Sequence, residues 1–467
     1  MLVFSFEAKI TLMFLSLTLL VTQTSSIRLE AESALLHGPH VANDRTGYSG
    51  SGYVTGFEKD GDRIIFHFQA KAGIYVAHIH FCTPSGEKGS ELKVNGASYS
   101  LMFPSRNSFS ELDAGLVELK SGDNTLSIEK GWGWFEVDSV TLKPAAVSSK
   151  LKPLRAKLSD TQASIEAKNL YSTLLRSYGS KAFSGQYDKK DCDYVRAIAG
   201  VTPAILGDDL MDYSPTRVGH GSMPKDTTER LIQAAKAGQI VTLSWHWNAP
   251  SHLFDREITD AQGNKVDARW YKGFMAYASS FDLAKALANP QSDDYKLLLS
   301  DIDAIAVQLK KLQTAKVPVL WRPLHEADGG WFWWGSKGAE SFKKLWRLLH
   351  SRLTKANGIH NLIWVNSSGT KPEWYPGDDV VDVVGVDAYP SDPSDPLSNT
   401  WATLLQQFDG KKPIALTEFG GVPDIQRMQR FGVRWAYFVS WTGSLGAKKL
   451  SPADLKRCYT QKSVINR

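Results

Sequence analysis

The chain has 467 residues, 42% hydrophobic and 22% charged, a globular balance that excludes disorder, collagen and coiled coil as whole-chain readings. Its net charge of +5 comes without any block of like charges, so it lacks the clustered basic footprint of a nucleic-acid binder. Three cysteines cannot make a disulfide scaffold, whereas 15 tryptophans require either a large core or exposed stacking platforms.

In chain order, Ile10–Val21 is an apolar run broken only by Thr11, Ser16 and Thr18, and small polar residues follow from Thr22 to Ser26. This layout predicts a secretory signal over residues 1–26, its apolar run too short to span a hydrocarbon core of about 30 Å. Residues 27–143 read as all-β, with alternating runs such as Asp62–Phe68, Gly73–Phe81, Thr125–Glu129 and Phe135–Leu142. Turn residues separate them, as at Asn95-Gly96 and Ser121-Gly122-Asp123-Asn124, which predicts a β-sandwich or jelly roll. Residues 144–160, rich in Ala, Ser, Lys and Pro at their start, read as a linker. Cys82 lies in a strand-like run and is expected as a buried free thiol. Cys192 and Cys458 either pair in an oxidising compartment or stay free. The glycosylation triplet Asn366-Ser367-Ser368 follows a predicted core strand, a poor place for a glycan.

Over residues 161–467 strands alternate with helices. The strand candidates are Phe183–Tyr187, Thr202–Asp208, Gln239–Trp247, Val317–Glu326, Asn361–Asn366, Val380–Tyr389, Pro413–Phe419 and Trp435–Trp441. Helices are predicted at Thr227–Ala237, Tyr295–Thr314 and Ala339–Ala356. Strands apolar on both faces with helices between them predict a (β/α)8 barrel. An open doubly wound sheet would want a glycine-rich phosphate loop after its first strand, and Phe183–Tyr187 is followed by none.

Barrel chemistry sits where strands end, at the carboxyl-terminal face. Those ends carry Asp208-Asp209, Trp245-His246-Trp247, Arg322-Pro-Leu-His325-Glu326, Asp387-Ala-Tyr389, Glu418 and Trp441. Two glutamates facing across one barrel mouth suit glycoside hydrolysis, which needs one carboxyl protonated and the other ionised. Arg322 is the candidate cation for keeping Glu418 charged. Either glutamate alone would read more readily as a structural ion pair. Together, beside the glycine-flanked Trp331, Trp333 and Trp334, they point to a sugar site with at least one indole packed beneath the loop. A divalent-metal site on His246 and His325 is the alternative, but metal-dependent hydrolase barrels show a His-x-His pair on strand one, and none is present here.

Trp321-Arg-Pro-Leu-His-Glu326-Ala-Asp-Gly-Gly-Trp331-Phe-Trp-Trp-Gly335 and Thr417-Glu418-Phe419-Gly420 resemble the acid/base and nucleophile segments of glycoside hydrolase family 26. The commonest members of that family are endo-β-1,4-mannanases. The resemblance implies a retaining mechanism with Glu326 as acid/base and Glu418 as nucleophile, the carboxyls about 5–5.5 Å apart. It implies substrate contacts at His246, Arg322, His325, Trp331, Tyr389 and Trp441, and more loosely at Trp247 and Trp270.

Residues Arg28-Leu-Glu30-Ala-Glu32, Gly47–Tyr53 and Gly131-Trp-Gly-Trp-Phe-Glu-Val-Asp138 resemble carbohydrate-binding modules of family 35. That likeness implies a structural calcium on Glu30, Glu32 and Asp138, and sugar contact at Trp132 or Trp134, the other indole being packed in the sandwich. The whole reads as a secreted monomer acting on β-mannan, with no catalytic cofactor and no nucleic-acid or membrane partner. The same chemistry on mixed-linkage β-glucan or β-1,3-xylan, and a non-catalytic lectin-like protein, are the alternatives.

Overall fold

The computed structural model describes residues 26–148, 150–155 and 157–467, so the predicted secretory segment, Ser26 apart, lies outside the described residues. Two antiparallel sheets form the amino-terminal sandwich. One runs in the order His40–Ala42, Tyr53–Thr55, Glu136–Pro144, Gly73–Thr83, Arg106–Leu119, with Ile27–Glu30 also paired to Glu136–Pro144. The other runs Leu35–His37, Arg63–Ala70, Gly122–Glu129, Lys88–Val94, Ala97–Phe103. The alternation seen in the sequence is what separates its faces. Along Gly73–Thr83, Tyr75, Ala77, Ile79 and Phe81 fill the core, while His78 and His80 face outward.

In the carboxyl-terminal domain eight parallel strands close into a barrel: Gly185–Tyr187, Ile205–Asp209, Ile240–Trp245, Val319–Pro323, Leu362–Asn366, Val383–Ala388, Ile414–Phe419 and Phe438–Ser440. The helices Thr227–Lys236, Asp293–Thr314 and Gly338–Ser351 flank it where the periodicity placed them, and the last continues as a π-helical turn over Arg352–Ala356. Ser292 caps Asp293–Thr314 by accepting from the Tyr295 N–H at 3.2 Å, and Asp293 and Asp294 sit at the positive end of its dipole.

Barrel strand four stops at Pro323, three residues short of its predicted end at Glu326. The chain enters the left-handed region at Leu324 and again at Glu326, with φ of 52° and 51°, and cannot continue a ladder there. Such positions cost on the order of 1–3 kcal/mol each and persist where the surroundings fix them. Here the Glu326 N–H is held by the Ser367 carbonyl at 2.9 Å.

All three cysteines are buried free thiols, which decides the open question for Cys192 and Cys458. Burial pushes the Cys458 thiol up to about 12, leaving it protonated and inert. Asn366 is buried, and its amide is bonded to Ser368 Oγ at 2.9 Å, out of reach of a glycan. Among the described residues no helix is long and apolar enough to cross a membrane.

The sandwich is seated on the flank of the barrel. Glu118 pairs with Arg430 at 3.2 Å, and Arg427 Nη2 donates to the Tyr99 hydroxyl at 3.1 Å. Ser391 Oγ donates to Glu91 at 2.7 Å, and Asp395 accepts the Ser100 N–H at 3.4 Å. Gly115 approaches Asn399 so closely that a Cβ would lie 2.1 Å from its Oδ1. The connecting segment is held as well, through the Lys152 N–H on Asp409 at 2.9 Å.

Candidate active site

Arg322, on barrel strand four, is fully buried and organises one wall of the site. Its Nη2 donates to Glu418 Oε2 at 2.5 Å, its Nη1 to Asp387 Oδ2 at 2.5 Å, and its Nε to the Tyr187 hydroxyl at 3.1 Å. Tyr187 can lie there because strand two carries Gly207, where any Cβ would come within 2.5 Å of the ring. Burial alone would lower the Arg322 guanidinium, but Asp387, Tyr187 and Glu418 together raise it well above its ordinary value. It is a permanent cation. Tyr389 completes the wall by donating from its hydroxyl to Glu418 Oε1 at 2.5 Å. Both oxygens of Glu418 thus accept a short hydrogen bond, one from a guanidinium and one from a phenol.

Glu326 stands in a different environment. Trp331 Nε1 donates to its Oε2 at 3.0 Å, and Trp331 itself is 47% exposed. Burial first, and the charge of Glu418 second, raise its carboxyl above the usual range. One carboxyl is therefore clamped between a cation and a phenol, and the other is biased toward the acid form.

A second chain of groups runs from strand two through strand three to the end of strand four. Asp209 Oδ2 meets His246 Nδ1 at 2.6 Å, and His246 Nε2 lies 3.2 Å from His325 Nε2. Burial would lower His246, but Asp209 overcomes it and raises the imidazole. His325 is driven well below its ordinary value by burial, Arg322 and His246. Of the two imidazoles His246 is thus the one that holds a second proton more readily, and its Nδ1 donates to Asp209. With Asp209→Asn, burial is left to dominate, and the His246 titration should move downward by at least about one unit in an NMR pH series.

Residues 159–467 match the model of glycosyl hydrolase family 26. The chain belongs to glycosyl hydrolase family 26. Residues 27–145 match the carbohydrate binding module of family 35. A mannan endo-1,4-beta-mannosidase of Thermothelomyces thermophilus is 42% identical over 95% of this chain and 90% of its own length. A Podospora anserina GH26-CBM35 beta-(1,4)-mannanase of known structure is 40% identical, with a TM-score of 0.68 over 94% of this chain and 97% of that one. A ruminal GH26 endo-beta-1,4-mannanase is 30% identical, with a TM-score of 0.64 over the same shares.

The family 26 barrel brings Glu326, Glu418, Arg322, His246, His325, Trp331, Tyr389 and Trp441 to one end. Trp441 is half-buried, edge-on to Tyr187 with centroids 4.8 Å apart and 6.3 Å from the His246 ring. Trp333 and Trp334 both pack beneath the loop, donating to the Trp247 and His325 carbonyls at 2.5 and 2.9 Å. Trp247 does not reach a sugar site: it is buried, stacked on Trp245, with its Nε1 on Asp301. Trp270 is partly exposed and lies over Arg217. The histidine pair is a hydrogen-bonded couple, and among the described residues no three His, Cys, Asp or Glu side chains gather as metal ligands.

Sequence reasoning gave Asp209, Asp387 and Tyr187 no role. Asp387 lies two residues before Tyr389, where strand six ends, and residues so spaced along a strand share a face. That spacing was the available signal.

In the family 35 module the expected calcium set does not converge. Glu30 and Asp138 lie 3.0 and 2.8 Å from Ser49 Oγ, but Arg28 stands between them, 2.6 Å from Glu30 and 3.7 Å from Asp138. His80 adds a contact to Asp138 at 2.8 Å, and Glu32 turns away to the Ser51 N–H. Arg28 supplies one positive charge to this pair of carboxylates, and Glu32 Oε2 is buried without a hydrogen-bond partner. Trp132 and Trp134 are 66% and 65% exposed, so neither indole packs in the core, contrary to the expectation for one of them. Left-handed turns at Gly133 and Trp134 present both to solvent.

Proposed function

We propose that this chain is a secreted endo-β-1,4-mannanase working by retaining double displacement. The observation that carries the chemistry is the opposed state of two carboxyls at one barrel mouth: Glu418 clamped by Arg322 and Tyr389, and Glu326 raised by burial and by Glu418. The mannanase relatives, alike over nearly the whole chain, support the substrate. The amino-terminal apolar run supports export.

In the first step Glu326 gives its proton to the glycosidic oxygen while a Glu418 oxygen bonds to the anomeric carbon and the C1–O bond breaks. Glu418 becomes a neutral ester, and Asp387 then keeps the buried Arg322 from losing its last counter-charge. Formation of the ester also removes the Glu418 charge that raised Glu326. The Glu326 carboxyl, now ionised, draws a proton from water as the water oxygen attacks C1 and releases Glu418.

NMR of the earliest products from β-1,4-mannohexaose should show the β-anomer at the new reducing end. An α-anomer would overturn the retaining mechanism. Chromatography on a panel of purified β-glycans tests the substrate. Inactivity on mannan, with cleavage of mixed-linkage β-glucan or β-1,3-xylan, would overturn it.

A further inference from the structure

We infer that Trp132 and Trp134 of the module form a distal mannan-binding subsite continuous with the barrel cleft, so that both domains hold one polysaccharide chain at once. This rests on the reading of the chain as an endo-acting glycosidase on β-1,4-mannan.

The argument starts from the outer face of one sheet. Along Lys88–Val94, Leu92 and Val94 enter the core, so Gly89, Glu91 and Lys93 face outward. The neighbouring strand pairs Met102 with Gly89, Ser100 with Glu91 and Ser98 with Lys93. The outer face is therefore ruled in rows about 6–7 Å apart. The middle row touches the barrel, through Glu91 on Ser391 and Ser100 on Asp395. Ser391 is only two residues beyond Tyr389, whose hydroxyl holds Glu418. The next row holds Gly89 and Met102, with Trp132 laid over Gly89. A Cβ on Gly89 would sit 3.1 Å from the indole, and the Trp132 N–H bonds the Gly89 carbonyl at 2.8 Å.

The direction of that step decides its meaning. Helices of a βα barrel run back from its carboxyl-terminal face, so Asp409, just past the helix Ser398–Phe408, and Arg430, ending Ile425–Arg430, lie lower on the flank. Lys152 and Glu118 of the sandwich side contact these two residues. Strand Gly122–Glu129 sets out from the Glu118 end and pairs Leu126 with Val94 and Glu129 with Glu91. Moving from Val94 to Gly89 therefore leads away from Glu118, up the flank and one row past the Ser391 contact, toward the face where the catalytic glutamates open. Trp132, Trp134 and the 47% exposed Met102 stand at that end of the sheet, and the exposed Trp331 beside Glu326 belongs to the barrel face toward which it points. Indoles on a domain swinging from a loose tether would serve only to concentrate enzyme on a surface. These are fixed by the contacts from Glu118 to Ser391, and fixed aromatic faces extend a cleft for the apolar C–H faces of sugar rings.

The test is the length dependence of kcat/KM on soluble oligosaccharides, with the full chain and its Trp132→Ala, Trp134→Ala and double variants. Each substitution should cost roughly two- to tenfold on long chains and nothing on the shortest chain cleaved. Arg427→Ala combined with Tyr99→Phe, which loosens the seating while leaving both indoles in place, should also flatten the length dependence. Soluble kinetics identical to the parent at every length, with loss confined to insoluble mannan, would overturn the inference. So would an equal loss on short and long chains. The series is run side by side on β-1,4-manno- and mixed-linkage gluco-oligosaccharides. Activity on the gluco-series alone overturns the substrate reading, while the length effect is then read on that series.

Discussion

Replacing Glu418 by alanine is expected to lower kcat on soluble mannan by on the order of 10^6-fold, the scale seen when a covalent nucleophile is deleted elsewhere. Nothing else at the barrel mouth can take its place. Asp387 is buried behind Arg322 with its oxygens committed to Arg322, Ser367 and Thr417. The fold should survive, because Asp387 and Tyr187 still receive the Arg322 guanidinium. An unchanged far-UV circular dichroism spectrum alongside the lost activity separates a chemical role from a structural one. A small anion such as azide, placed in the vacated space, should restore cleavage of an activated aryl mannoside and yield the α-mannosyl product, since one displacement replaces two. Undiminished release of reducing ends by the alanine variant would remove Glu418 from the chemistry. It would also reopen the reading of the chain as a lectin-like protein.

The barrel was legible because strands buried on both faces leave uninterrupted apolar runs such as Leu362–Asn366 and Ile414–Phe419, and because polar groups cluster where those runs stop. The acid/base and nucleophile candidates came from those ends. What the ends did not reveal is which of two adjacent carboxyls faces the site. At Asp208-Asp209 the pleat sends one outward to Arg230, at 3.2 Å, and the other to His246. Without a register for strand two, the pair is ambiguous. The sandwich strands Leu35–His37, His40–Ala42 and Tyr53–Thr55 were missed because three residues are too few to show an alternation. Ala97–Phe103 did carry one, with Tyr99, Leu101 and Phe103 inward, and was readable. The seating of module on barrel was not, since it depends on polar pairs such as Glu91 and Ser391, 300 positions apart, that no local pattern marks.

Substituting Glu326 by alanine should lower kcat on mannan by about 10^2–10^4-fold, the usual worth of a positioned proton donor. The loss should shrink with the quality of the leaving group. A dinitrophenyl mannoside needs no proton to depart, so its glycosyl-enzyme should still form rapidly and then accumulate, seen as a burst of phenolate. The pH profile supplies the second readout. Burial, then the charge of Glu418, raises the Glu326 carboxyl, so the acid form persists to higher pH than in an ordinary glutamate, and activity falls as pH rises through that raised value. In the alanine variant this alkaline limb should vanish, because no titrating acid remains. The same electrostatics predicts how Glu326 changes role within one turnover. Once Glu418 is esterified its charge is gone, and the carboxyl opposite should titrate at lower pH. Carbon NMR of Glu326 in the free enzyme and in an enzyme trapped with a 2-fluoro mannoside measures that difference directly. A value no lower in the trapped form would mean that the two carboxyls do not share a field, and with that the coupling that lets one residue serve first as acid and then as base would be lost.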